Sequence, residues 1–142
     1  MAKISFSRYN YNHTNGFKKE FPAGTNLVSG TLVSITETGA DIYANDGKNA
    51  YLVAEDFVGG LVTPPGVIEN EVYTHNLSMV LYPIRSDDCL EAWTNGTVKE
   101  GSVYEINSTG DGITTTVGEH GAMIMKILKK HENKMLVEFV IV

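Results

Sequence analysis

Apolar and polar residues alternate over short runs along most of this chain, and glycine, asparagine and aspartate separate the runs. A strand places successive side chains on opposite faces, so a short β-branched run bounded by turn formers predicts a strand. Residues 27–36 make such a run and end in Glu37-Thr38-Gly39. Residues 40–44 and 50–53 follow, separated by Asn45-Asp46-Gly47-Lys48, whose Asp-Gly pair suits the positive φ of a tight hairpin. A long loop containing Gly59-Gly60 and Pro64-Pro65-Gly66 leads to the next strand, 71–82, which Pro83 ends or places at an edge. Residues 98–106, 113–117, 122–128 and 135–142 complete the series, the last two joined by the charged loop 129–134.

One short helix is expected between Ser86 and Asn95-Gly96. Ser86 suits an N-cap, Asp87 and Asp88 suit the positive end of the helix dipole, and Leu90 and Trp93 stand three apart on one helical face. Residues 1–24 differ from the rest, being polar, Asn-rich and aromatic. Phe6, Tyr9, Tyr11, Phe17 and Phe21 are spaced too irregularly for a helical stripe, so this segment reads as an extended arm. Its rings gain from burial either against the domain's own core or against a neighbouring subunit. The expected organisation is an arm over 1–24 and a β-domain over 25–142. The expected fold is all-β, mainly an antiparallel sandwich or barrel, with the extended N-terminal arm and the one short helix. No repeat at a fixed period points to a solenoid or propeller.

At 142 residues with 42% hydrophobic and 20% charged residues, the chain suits one ordinary globular domain. A net charge of −6 and a pI near 5.1 argue against a nucleic-acid partner, because phosphate binding needs a broad basic surface. Lys126, Lys129, Lys130 and His131 form a local basic cluster, read here as surface charge at a hairpin. Cys89 is the sole cysteine, which excludes an intrachain disulfide and a cysteine-based metal cluster. The N-terminus lacks an apolar signal core and no run reaches a membrane span, so a cytoplasm-like compartment and no membrane partner are expected.

No sequence pattern marks a catalytic or metal site. No Gly-x-Ser-x-Gly elbow marks a serine, and Cys89 follows two aspartates whose charge disfavours a thiolate. His13, His75, His120 and His131 are scattered, and no His-Glu-x-x-His pairs them for zinc. Gly110-Asp111-Gly112 lacks the remaining ligands of a calcium loop and reads as a turn, and phosphate-cradling glycine loops are absent. Trp93 and Tyr104 could stack on a sugar, but the pairing of Trp93 with Leu90 suits a core role better. No catalytic residue, cofactor or metal is therefore expected, and the chain reads as non-enzymatic.

Taken together, several segments give the chain a resemblance to the head-decoration, or capsid cement, proteins of tailed bacteriophages. These are the polar arm, Ser29-Gly30-Thr31-Leu32-Val33, Ala50-Tyr51-Leu52-Val53-Ala54-Glu55-Asp56, and Lys99-Glu100-Gly101-Ser102-Val103-Tyr104-Glu105-Ile106 before a glycine-rich turn and two terminal strands. The resemblance implies a virion protein on the outer capsid surface, made in the host cytoplasm. It also implies the major capsid protein and further copies of the chain, as a homotrimer, as partners. On that reading Phe6, Tyr9, Tyr11, Phe17 and Phe21 anchor the arm to the shell, and removal of residues 1–20 leaves a folded domain that no longer binds. A tail- or fibre-associated β-domain and a carbohydrate-binding β-sandwich are the alternatives.

Overall fold

A computed structural model of the chain describes residues 4–7, 19–22, 27–53, 72–73 and 78–142. Within them the regular structure is all β, without a helix. In chain order the strands are β1 (Ser5–Phe6), β2 (Lys19–Pro22), β3 (Leu27–Val28), β4 (Leu32–Thr36), β5 (Gly39–Ile42), β6 (Tyr51–Val53) and β7 (Val72–Tyr73). They continue as β8 (Ser78–Pro83), β9 (Leu90–Trp93), β10 (Val103–Ile106), β11 (Ile113–Val117), β12 (Ala122–His131) and β13 (Lys134–Ile141). A six-stranded sheet runs β1-β9-β13-β12-β10-β11, a five-stranded sheet runs β2-β8-β6-β4-β5, and β3 pairs with β7. Every pairing between these strands is antiparallel.

The six-stranded sheet curls on itself. Thr94, just past β9, makes a parallel bridge to Ile113 at the start of β11, and Asn95 N donates to Ile113 O at 3.0 Å. Strands from distant places in the sheet order are thereby joined, and their inner side chains enclose a core that includes Leu90, Ile113, Ile124, Val137 and Phe139. Leu32, Tyr43 and Leu52 of the other sheet region pack into that same core. Val33, Tyr51, Val53 and Leu81 belong to a second cluster with Leu27. In β4 and β6, neighbouring residues therefore serve different cores, and a sheet apolar on both faces loses the polar half of its alternation.

Asn45 ties the 43–50 connection to β10. Its Nδ2 donates to Ile106 O at 3.1 Å and its Oδ1 accepts from Ile106 N at 2.8 Å. The residue holds a left-handed φ of 53°, a region that asparagine tolerates better than most side chains. Gly47, at φ 77°, sits beneath His120, so an added Cβ would lie 2.8 Å from the imidazole.

Several expectations need correction. The short helix is absent: Ser86 and Asp87 form a turn, and residues 90–93 are strand β9. Leu90 and Ala92 are buried while Glu91 and Trp93 are half-buried, the period of a strand rather than a helix. Asp88 starts no helix but folds back, its Oδ2 accepting from Arg85 N at 2.8 Å. The expected single strand 27–36 is split at Gly30, whose φ of 83° turns the chain between β3 and β4. Asp46-Gly47 does not close a hairpin, because β5 and β6 lie on opposite sides of β4. The charged loop 129–134 shrinks to the turn Glu132-Asn133, so the lysines before it lie on β12 itself.

Candidate protein-binding surfaces

The N-terminal residues enter both sheets. β1 pairs with β9 and β2 pairs with β8. Ile4 is 1% exposed in the main core and its N donates to Gly30 O at 2.8 Å. Phe6 packs against that core and meets Tyr82 edge to face, ring centroids 5.9 Å apart, while Ser7 Oγ donates to Glu138 Oε2 at 2.6 Å. Phe21 lies on β2 opposite Met79. Tyr9, Tyr11 and Phe17 lie outside the described residues. Because Ile4 is a core side chain, removing residues 1–20 costs stability as well as any contact the segment makes.

His13 and His75 lie outside the described residues. No group of three or more His, Cys, Asp or Glu side chains among the described residues could hold a metal ion. Asp111 is engaged within its own turn, its Oδ1 accepting from Asn107 Nδ2 at 3.0 Å and Thr109 Oγ1 at 2.7 Å. Tyr104 is buried, with its hydroxyl accepting from Lys99 N at 3.0 Å, whereas Trp93 lies half-buried on the face opposite Leu90. Burial raises the Tyr43 hydroxyl above its ordinary value of 10.0, the nearby Asp46 carboxylate adds to the rise, and the Gly47 backbone opposes it. Among the described residues no helix is long and apolar enough to cross a membrane.

The chief surface feature is on β12. This strand spends ten residues pairing with the eight of β13, and the register jumps between Ile124 and Lys126 and again between Ile127 and Lys129. The extra residues are Met125 and Leu128. They are 50% and 38% exposed, the exposed large apolar side chains of that strand. Neither bulge has a positive φ, so no glycine is required there. A bulge re-aims the side chain it inserts, and here both bulges turn an apolar group outward beside exposed Lys126, Lys129 and Lys130. On its outer edge β12 pairs with β10 only at Ala122 and Met123, and Glu100 Oε2 accepts from Ile127 N at 3.0 Å. Farther along, no described strand covers that edge.

A second surface lies on the five-stranded sheet. A groove of about 880 Å³ has half-buried Ile35 and Ile42 with Tyr51 among its apolar walls, and Glu37, Asp41 and Asp46 among its polar ones. Thr36 Oγ1 donates to Asp41 Oδ2 at 3.0 Å, which holds that carboxylate beside the β4–β5 turn. The sequence signals the lysines of the first surface and the acids of the second. It does not signal the bulges, because the loss of alternation in Met123-Ile124-Met125-Lys126-Ile127-Leu128 also suits a strand buried on both faces.

In comparisons with known proteins, no family model, no curated protein and no solved structure matches the chain.

Proposed function

We propose that this chain is a non-enzymatic structural protein that binds the outer surface of a tailed-phage capsid and cements it. Its partners in this reading are the major capsid protein and further copies of itself, arranged as a homotrimer, and it resides on the virion. The observation that carries the protein-binding part is the pair of outward bulges on β12, which hold Met125 and Leu128 in water beside lysines. Exposed apolar side chains set in a charged rim suit a protein contact. The capsid itself comes from the resemblance to head-decoration proteins.

The two antiparallel sheets are read as a sandwich, since Leu32 and Leu52 of one share a core with Leu90 and Phe139 of the other. Such a frame presents strand edges and loops in fixed positions. Tyr9, Tyr11, Phe17 and Phe21 are the proposed shell anchors, through backbone addition to a sheet edge and ring insertion into pockets. Phe6, packed on Tyr82, serves to root the segment in the domain. Many weak contacts repeated over a shell add up through multivalency.

The test mixes purified protein with expanded capsids that lack it, followed by co-sedimentation and imaging of the particles. Density at capsid threefold axes is expected. Failure to bind shells, or binding confined to the tail, overturns the reading. A combined Tyr9→Ala, Tyr11→Ala and Phe17→Ala variant should melt as the parent does yet bind shells more weakly. Undiminished binding would remove these rings from the anchoring role.

A further inference from the structure

We infer that the bulged face of β12 docks into the acid-walled groove beside the β4–β5 turn of a second copy of this chain. The inference builds on the self-association in the proposed function and does not depend on the capsid.

Two complementary surfaces occur on one molecule. The β12 face offers Met125 and Leu128 with Lys126 and Lys129, while Lys130 stands opposite buried Met135 on the other face of the strand, and four of the chain's eleven lysines and arginines fall between Lys126 and Lys134. The groove offers Ile35, Ile42 and Tyr51 with three acids, Glu37, Asp41 and Asp46, against a single lysine, Lys48. Apolar groups thus meet an apolar floor, and a positive rim meets a negative one, on a chain whose net charge of −6 would otherwise drive copies apart.

The strand edge adds direction to the contact. Past Ile127, β12 leaves its outer edge without a described partner strand, and β5 is likewise the last strand of its sheet. An uncovered edge invites a second chain unless lysines and bulges restrict what can approach. Here those same guards match a groove on the same molecule, which turns protection against arbitrary partners into selection of one partner. The inferred contact is head-to-tail, each copy giving its β12 face to one neighbour and its groove to another.

The test is the mass of the full chain in solution, by light scattering and sedimentation, without shells. An oligomer is expected at low salt that dissociates as salt rises from about 0.1 M to about 1 M, where the screening length falls from about 10 Å to 3 Å. Lys126→Glu with Lys129→Glu should give a folded monomer, and so should Glu37→Lys with Asp41→Lys. An equal mixture of these two variants should associate again, because the reversed hairpin of one fits the reversed groove of the other. Met125→Ser with Leu128→Ser should weaken association while leaving the melting temperature of the dissociated monomer at high salt unchanged. The inference is overturned by a wild-type monomer, by an oligomer that neither charge set affects, or by variants that fail to recombine. Since no capsid enters the experiment, failure of shell binding would leave this result untouched.

Discussion

β12 and β13 are the two arms of one hairpin and share nearly every cross-strand pair, yet they have opposite fates. β13 lies between β9 and β12, and it buries Met135, Val137, Phe139 and Val140. β12 buries Ala122 and Ile124 near its start, then inserts Met125 and Leu128 as bulges and runs into exposed lysines. The difference follows from neighbours. A strand with partners on both edges must keep register, since a one-residue slip moves every core side chain to the wrong face. A strand that loses one partner can take extra residues, and each extra residue becomes surface. One arm of the hairpin therefore supplies stability and the other supplies shape.

The largest blow to this contrast should come from Phe139→Ala on β13. Phe139 is fully buried, so the loss is expected at about 3–5 kcal/mol in chemical denaturation. A loss below about 1 kcal/mol would mean that β13 is not the strand the core depends on. Next, Glu132 holds a left-handed φ of 57° in the turn joining the two strands. Glu132→Gly should relieve a strain of about 1 kcal/mol, less the flexibility glycine adds to the unfolded chain, and raise the melting temperature slightly. Destabilisation on that change would show that the turn draws on the Glu132 side chain.

Smaller still, Met125→Ser and Leu128→Ser should each shift stability by less than about 0.5 kcal/mol, the range of surface changes away from the core. A cost near that of Phe139→Ala would show that the bulges face inward and would erase the contrast. The smallest effect lies outside the hairpin. The Tyr43 hydroxyl is raised above 10.0 by burial and then by Asp46, so the unfolded chain ionises before the folded one. Its contribution is intact below pH 10 and is lost as pH climbs through the folded value, with no effect at neutrality. Tyr43→Phe should flatten the alkaline end of a stability profile. An unchanged profile would assign that loss to other groups.

Much of the strand content is legible in the chain, and the reasons are local. Residues 103–106, 113–117 and 135–141 carry β-branched or alternating patterns that survive any neighbour. The segment 86–95 is not legible in the same way. Asp87-Asp88 before Leu90 and Trp93 fits a helix start as well as it fits a turn followed by a strand, and the choice falls to pairing with β13 and β1. The arm is partly legible: its aromatic character is plain, but the burial of Ile4 and the contact of Phe6 with Tyr82 depend on residues far along the chain. Of the two surfaces, the charges can be read directly. Their apolar centres cannot, because exposure at Met125 and Leu128 is created by register.

The chain by itself determines that this protein builds strands and turns, carries no recognisable catalytic signature and concentrates positive charge near residue 130. These follow from side-chain branching, turn chemistry and residue identity, which act over a few neighbours. Only the tertiary structure decides which strands gain two partners, where β12 spends its extra residues and which face meets water. Those outcomes depend on strand pairing between segments as distant as Ser5 and Glu91, and no local pattern encodes a partner that remote.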